Sequence, residues 1–234
     1  LIFAENDYPY LLSNLEELKF IASDLTNNQS VIIGGTKKEN SQFYNTFILI
    51  GKNKIQEFHK IILVPFGEFL PYRSFLGFFD KIIGKNDFIS GNKIRLIETF
   101  DNLKITPVIC YEIIFFNNLL SNYNKDSSIL INITNDSWFG NFSGPYQHFY
   151  LARMRAIEFN KTLIRVSNNG ISAVIDNKGK IIDYIPLNTK EIKSLKMPIS
   201  FSSLPNLKKY HSYIYLLFFV LLILAIKFNK NEKI

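Results

Sequence analysis

The sequence is poor in residues that form disulfides or bind metals. It has one cysteine, three histidines and 11 glycines among 234 residues. A single cysteine excludes a disulfide scaffold, and the histidines show no metal-ligand spacing. We find no phosphate-binding glycine loop, no internal repeat and no low-complexity segment. The chain is therefore expected to use neither a metal nor any other cofactor.

Apolar and aromatic residues are abundant instead. They make up 47% and 15% of the chain, with 22 phenylalanines. This composition excludes a disordered chain, and the length is sufficient for one large domain with its own core. The apolar fraction is high for a wholly soluble domain, so we expect part of the chain to contact lipid.

The net charge of +7 is concentrated near the C-terminus. Five lysines and one acidic residue follow Leu207, which leaves +3 for residues 1–207. The lysines flank the apolar run Tyr213–Ile226, which with its interfacial neighbours reaches about 19 residues, just enough to span a bilayer. We therefore expect a folded domain at 1–207 and a C-terminal transmembrane anchor at 208–234, with a buried core helix as the alternative. The same charge distribution argues against a nucleic-acid partner.

Short β-rich runs alternate with helical patterns, which predicts an α/β layered fold. We expect helices at 13–27, opened by a Ser13–Glu16 capping box, after Glu112, and at 147–160. Strands are expected at 1–4, 30–34, 42–50, 55–59, 104–109, 128–133 and 163–167, followed by a hairpin over 173–184. A long irregular stretch contains the aromatic-rich segment Phe66–Phe79. We interpret that segment as a mobile arm that contacts a membrane, the alternative being a loop folded onto the domain.

Three reactive side chains stand at the ends of predicted strands. Cys110 ends the strand ITPVIC, Glu5 follows the first strand, and Lys60 follows the strand 55–59, with Glu68 in the loop beyond it. Open α/β sheets place reactive groups at strand ends, and a helix N-terminus lowers the pKa of a thiol. A lone cysteine on an apolar strand is more often inert, so the interpretation depends on all three positions together.

These segments resemble the nitrilase superfamily, whose sites use Glu, Lys and Cys in that chain order at the strand ends of an αββα sandwich. Within it, the chain closely resembles the apolipoprotein N-acyltransferases. The similar segments are HKIILVPFGEFLP at 59–71, VICYEIIF at 108–115, ITNDSWFGNFSGPYQHFYLARMRAIE at 133–158 and RVSNNGISAVIDNKGKI at 165–181. One departure is Phe3-Ala4 before Glu5, where that family usually has Trp-Pro.

The resemblance implies an acyltransferase. Glu5 would be the general base, Lys60 would donate to the oxyanion, and Cys110 would take an acyl group from a phospholipid as a thioester. The acceptor would be the N-terminal amine of a diacylglyceryl-cysteine in an apolipoprotein. The implied location is the bacterial inner membrane, with the catalytic domain on the periplasmic side.

The resemblance also implies supporting residues. Glu68 and Glu112 would orient Lys60 or the base, the Tyr111 N–H would donate to the oxyanion, and Tyr44 and Asn45 would help shape the site. Simpler interpretations stay open: Glu112 could complement a helix N-terminus, and Asn45 could mark a bulge. We expect Trp138 and His148 to pack or to form structural hydrogen bonds.

The resembling family places a bundle of transmembrane helices ahead of this domain, and none precedes Leu1. We therefore expect a fragment of a longer enzyme, for which a separate chain could supply the missing helices. Two other functions stay open. One is a soluble-type amidase that shares the three reactive residues, and the other is a non-catalytic, membrane-tethered protein.

Overall fold

Two β-sheets lie at the centre of the structure, which is a computed structural model that describes residues 1–76, 78, 86–92, 94–121, 126–196, 213 and 215–224. The first sheet is antiparallel and has the order β1–β2–β3, formed by Ser30–Glu39, Gln42–Gly51 and Ile55–His59. The second has the order β4 to β9, formed by Ile97–Glu98, Lys104–Ile109, Ile129–Asn135, Thr162–Asn168, Ser172–Ile175 and Ile181–Ile185. Within the second sheet, β5, β6 and β7 are parallel to one another, so their C-terminal ends meet at one edge.

Four α-helices accompany the sheets in the described part of residues 1–196. They are α1 Lys19–Asp24, α2 Arg73–Leu76, α3 Phe116–Ser121 and α4 Ser143–Phe159. Within the described residues, 3-10 helices also cover Leu15–Leu18, Cys110–Ile114 and Asp136–Phe139. The second of these begins at the cysteine itself, directly after β5.

Alternation along β2 shows how the layers pack. Phe47 and Leu49 face the second sheet and join β5 and β6 in a common core, whereas Ile48 and Ile50 face the opposite side and pack with Leu18 and Ala22 around α1. Successive side chains of a strand point to opposite faces, so a strand that is apolar on both faces must lie inside the molecule.

Helix α4 covers the outer face of the second sheet. Its buried side includes Phe149, Ala152, Ala156 and Phe159, and the helix ends at Asn160 in the left-handed conformation, with φ +52°. An asparagine tolerates this conformation better than most residues do, which ends the helix cleanly. With α1 outside the first sheet and α4 outside the second, the αββα order predicted from the sequence is confirmed.

Several boundaries differ from the predictions. The capping box is formed by Asn14 and Glu17, one residue later than expected, because Glu17 accepts from the backbone at the start of the turn. Strand β1 continues to Glu39 because its polar second half pairs with the first half of β2. The expected first strand is reduced to a single parallel bridge between Ile2 and Ile32.

The aromatic-rich segment Phe66–Phe79 has hydrogen bonds that anchor part of it and several aromatic side chains that are exposed. Leu70 is buried, and Asp87 accepts from both the Leu70 amide and the Arg73 guanidinium, the former at 2.9 Å. Tyr72, Phe75 and Phe78 are exposed, and Phe79 lies outside the described residues. Trp138 is also exposed, so the expectation that it packs was wrong.

The chain divides into two units, 1–202 and 203–234. Residues 215–224 of the second unit are helical, while 208–212 and 225–234 of the expected anchor lie outside the described residues. Among the residues that the structure describes, no helix is both long and apolar enough to cross a bilayer.

Candidate active site

Glu5 lies where the two sheets meet. Its side chain is buried, and its two carboxylate oxygens accept hydrogen bonds from different sheets. Oε1 accepts from the Asn45 side chain on β2 at 2.8 Å, and Oε2 accepts from the backbone N–H of Asn135 at the end of β6 at 2.9 Å. The Asn168 amide at the end of β7 also donates to the Glu5 carbonyl at 3.2 Å. Contacts with three strands thus fix Glu5, two through its carboxylate and one through its backbone carbonyl.

Gly34 makes room for the loop that carries Glu5. A Cβ atom at Gly34 would lie 2.6 Å from the Asn6 nitrogen and 2.7 Å from the Glu5 Cα, closer than real side chains approach backbone. The hydrogen bond from the Gly34 N–H to the Ala4 carbonyl, at 3.1 Å, holds the loop in this close position. The glycine is therefore a requirement of the Glu5 position.

We expect Gly34→Ala to displace Glu5 and to lower the rate of Cys110 acylation by about 100-fold, because even a 1 Å shift of a reacting group is costly. The neighbouring Gly35→Ala is the matched control, since the nearest atom there is a side-chain carbon of Tyr8 at 3.3 Å. Acylation rates and melting temperatures of both variants check this. Equal acylation rates in the two variants would contradict the role assigned to Gly34.

Lys60 follows β3 directly and is almost completely buried, with 1% of its surface exposed. Its Nζ lies 2.9 Å from Glu68 Oε1 and 3.4 Å from Glu5 Oε1. Burial alone would lower the pKa of this amine, but the charges of Glu5, of Cys110 when ionised, and of Glu68 hold it above its usual value. Lys60 is therefore a permanent cation in a water-poor site.

Asn45 links the two carboxylates that flank Lys60. Its Nδ2 donates to Glu5 at 2.8 Å and to Glu68 at 2.7 Å. Glu68 is fixed from its other side by the Val64 N–H at 2.8 Å. The amide thus holds two acidic side chains at one fixed spacing, and the Lys60 ammonium lies between them.

Cys110 stands at the C-terminal end of β5 with φ +50°, in the left-handed region that non-glycine residues rarely adopt. Such strain costs about 1–3 kcal/mol and is typical of residues held for function. The sharp turn between the strand and the 3-10 helix Cys110–Ile114 positions the thiol at the strand edge where Glu5 and Lys60 also lie.

The thiol of Cys110 is protonated at rest. Burial and the negative charge of Glu5 raise its pKa to about 12, against the opposing effects of Lys60, the Thr134 hydroxyl and the Asn135 backbone. Thr134 lies next to Cys110 because Ile109 and Ile133 are paired in the preceding register position. A thiol of this kind becomes a nucleophile only when a base removes its proton during the reaction.

A buried polar cluster of Thr134, Asp136, His148 and Arg165 lies at the ends of β6 and β7. The Asp136 carboxylate accepts from Arg165 at 2.7 Å and lies 2.8 Å from the Nδ1 atom of His148. The Thr134 hydroxyl donates to the same carboxylate at 3.3 Å. His148 is buried and hydrogen-bonded within this cluster, and burial lowers its pKa. The expectation for His148 is confirmed.

Glu112 is completely buried and connects the two loops that carry Lys60 and Cys110. Its carboxylate accepts from the N–H groups of Ile61 at 2.7 Å and Ile109 at 2.8 Å. It also forms a bidentate ion pair with Arg95, at 2.6 and 2.7 Å. Arg95 escaped sequence reasoning, although its place inside the apolar run Ile94-Arg95-Leu96 hints at a buried arginine.

Of the predicted site residues, the structure brings Glu5, Asn45, Lys60, Glu68 and Cys110 together, with Glu112 directly behind them. The Tyr111 ring packs edge-on against Phe115, with the two ring centroids 4.8 Å apart. Tyr44 does not join the group. Its ring stacks on His59 and its hydroxyl donates to Gln42, because alternation along β2 turns it away from Asn45.

This arrangement can perform acyl transfer through a thioester. A thiol at a strained strand end lies beside a carboxylate that can take its proton and a buried ammonium that can stabilise an oxyanion. Among the described residues, no group of three or more histidine, cysteine, aspartate or glutamate side chains could hold a metal ion.

The fold and these side chains define a class of protein. The family model for the carbon-nitrogen hydrolases matches residues 2–200, and the chain belongs to that family. A solved relative supports the fold: the yeast Nit3 protein, a nitrilase-superfamily member from Saccharomyces cerevisiae, has a TM-score of 0.54 at 20% identity, over 75% of this chain and 61% of its own.

More similar relatives are apolipoprotein N-acyltransferases. The protein of that name from Rickettsia typhi is 44% identical over 168 residues, which covers 69% of this chain and 34% of the relative. The one from Vibrio vulnificus is 38% identical over 199 residues, covering 78% of this chain and 37% of the relative. The chain thus spans about a third of the length of these relatives.

Proposed function

We propose that this chain carries the catalytic site of an apolipoprotein N-acyltransferase. The proposal depends chiefly on one observation: the buried Lys60 lies between Glu5 and Glu68 beside a protonated thiol whose ionisation the Glu5 charge opposes. Similarity to proteins of that name supports the choice of acyl transfer over other reactions of the family.

In the first half-reaction, Glu5 takes the proton of Cys110 as the sulfur attacks the ester carbonyl of a phospholipid. Lys60 and the Tyr111 N–H stabilise the oxyanion. The lysophospholipid oxygen leaves with the proton held by Glu5, and the acyl chain stays on sulfur as a thioester. In the second half-reaction, the α-amine of a diacylglyceryl-cysteine attacks the thioester, Glu5 accepts the amine proton, and the Cys110 thiol is regenerated. The product is an amide, and the order of events gives ping-pong kinetics.

We place this reaction at the bacterial inner membrane, with the site on the periplasmic side, residues 1–207 as the catalytic domain and residues 208–234 as an anchor. The exposed Tyr72, Phe75 and Phe78 form an apolar surface suited to lipid contact. Flotation with phospholipid vesicles tests the membrane contact, and a protein that stays at the bottom of the gradient would contradict it.

The reaction is tested with a phospholipid that carries a labelled acyl chain, presented in mixed micelles. We expect label on the protein that neutral hydroxylamine releases, as it does a thioester. Protein alkylated with iodoacetamide is the control, because Cys110 is the sole cysteine of the sequence. Absence of an adduct on folded protein would favour a non-catalytic, membrane-tethered protein. Hydrolysis of small amides without an adduct would favour a soluble-type amidase.

A further inference from the structure

We infer that Arg95 is a positioning residue that, through Glu112, holds Lys60 and Cys110 at their working separation. Arg95 and Glu112 are both completely buried. The guanidinium presents two parallel N–H groups to the two carboxylate oxygens, at 2.7 and 2.6 Å. This fork geometry fixes the orientation of the carboxylate as well as its charge.

The carboxylate of Glu112 joins two segments that are 50 residues apart in the chain. Oε1 accepts from the N–H groups of Ile61 and Ile62, at 2.7 and 3.1 Å, and these residues follow Lys60 directly. Oε2 accepts from the N–H of Ile109 at 2.8 Å, and this residue precedes Cys110. The Glu112 side chain therefore sets the distance between the backbone that follows Lys60 and the backbone that precedes Cys110.

Arg95 contacts the same two strands from the other side. Its guanidinium lies 4.9 Å from the centroid of the Phe58 ring on β3, two residues before Lys60. It also donates to the Pro107 carbonyl on β5 at 3.2 Å, three residues before Cys110.

The ion pair keeps Glu112 able to accept these hydrogen bonds. Burial alone would raise the pKa of Glu112, but Arg95 and the backbone donors hold it below its usual value. Without Arg95, the group would be a buried carboxylate with no neutralising cation, which is strongly unfavourable. It would then protonate or move, and the backbone contacts to Ile61 and Ile109 would weaken.

Ionisation of Cys110 depends on this separation, because the Lys60 charge lowers the pKa of the thiol. When Lys60 moves away, that pKa rises and less thiolate is present at any given pH. The pH profile of Cys110 alkylation by iodoacetamide therefore reports on the position of Lys60 relative to the thiol. This measurement needs no lipid substrate. Only the acylation rate, as a second measurement, rests on the proposed function.

The test compares Arg95→Met, Arg95→Lys and Arg155→Met in the full chain. Arg155 is the matched control, since it is also buried, is paired with a glutamate, Glu158, and lies 5.4 Å from the centroid of the Phe116 ring. For Arg95→Met we expect the alkylation profile to shift to higher pH by about one unit, which is about tenfold slower alkylation at fixed pH. Arg95→Lys should restore only part of the wild-type profile, because lysine keeps the charge but lacks the fork geometry. Arg155→Met should keep the wild-type profile while losing similar thermal stability.

Two outcomes would overturn the inference. One is a folded Arg95→Met protein with the wild-type alkylation profile and a melting temperature lowered as in Arg155→Met. If Arg95→Met does not fold, Glu112→Gln decides, because it keeps the size of the side chain but removes its charge. A wild-type profile in a folded Glu112→Gln protein would then overturn it. If wild-type protein forms no acyl adduct, the proposed function fails, while the alkylation profiles still decide the role of Arg95.

Discussion

Replacing Cys110 with serine is expected to abolish formation of the acyl-enzyme while leaving the fold intact. Sulfur is a far better nucleophile than a hydroxyl oxygen, and a carboxylate such as Glu5 is too weak a base to activate serine in the same position. We expect acylation to fall by roughly 10⁴-fold or more, as when the nucleophile of a catalytic group is removed. The measurement is the rate at which a labelled phospholipid transfers its chain to the protein.

The free energy of unfolding of the Cys110→Ser variant distinguishes a loss of catalysis from a loss of folding. Serine matches cysteine in shape, and its hydroxyl would lie beside the Thr134 hydroxyl, which contacts the thiol in the native protein. We therefore expect the free energy of unfolding to change by no more than about 1 kcal/mol. A serine variant that still accumulates a hydroxylamine-labile adduct at the wild-type rate would rule out Cys110 as the nucleophile.

The second large effect is expected for Glu5→Gln, which should change two measurements in opposite directions. Acylation by phospholipid should fall by about 10²- to 10⁴-fold, because the base that takes the thiol proton is gone. Alkylation by iodoacetamide should instead shift to lower pH. The negative charge of Glu5 raises the pKa of Cys110, so removing the charge lowers that pKa and makes thiolate more abundant.

Asp7→Asn is the matched control for this change. It also converts a carboxylate to an amide in the same loop, where Asp7 accepts from the Ala4 N–H and the Asn168 side chain, both at 2.8 Å. We expect its alkylation profile to match that of the wild-type protein. If Glu5→Gln left acylation intact, Glu5 would not be the base. If it moved alkylation to higher pH, the Glu5 charge would not be what raises the pKa of the thiol.

The sequence predicted the reactive groups because each is tied to a local signal. Cys110 follows the apolar strand β5, Glu5 follows the apolar run 1–4, and Lys60 follows the mixed strand β3, so each position has its own local signal. The layered α/β fold was predictable from the alternation of short β-rich runs with helical patterns.

The residues that sequence reasoning missed depend on contacts between distant segments. Nothing near Arg95 indicates that it pairs with Glu112, and nothing near Asn135 indicates that its backbone N–H binds Glu5. Tyr44 and Asn45 were taken as one motif, although neighbours on a strand face opposite ways. The Tyr44 ring accordingly lies on His59. The capping box shifted by one residue because two adjacent glutamates, Glu16 and Glu17, fit the pattern almost equally well.

The way Glu5 is held has a consequence for how the protein opens. Its carboxylate accepts hydrogen bonds from Asn45 on the first sheet and from the Asn135 N–H on the second, so it connects the two sheets at this edge. Any fluctuation that separates the sheets here must break these hydrogen bonds and expose the Asn135 N–H to solvent. Deuterium uptake at that amide therefore follows the fraction of molecules with a disassembled site, even when no lipid is bound.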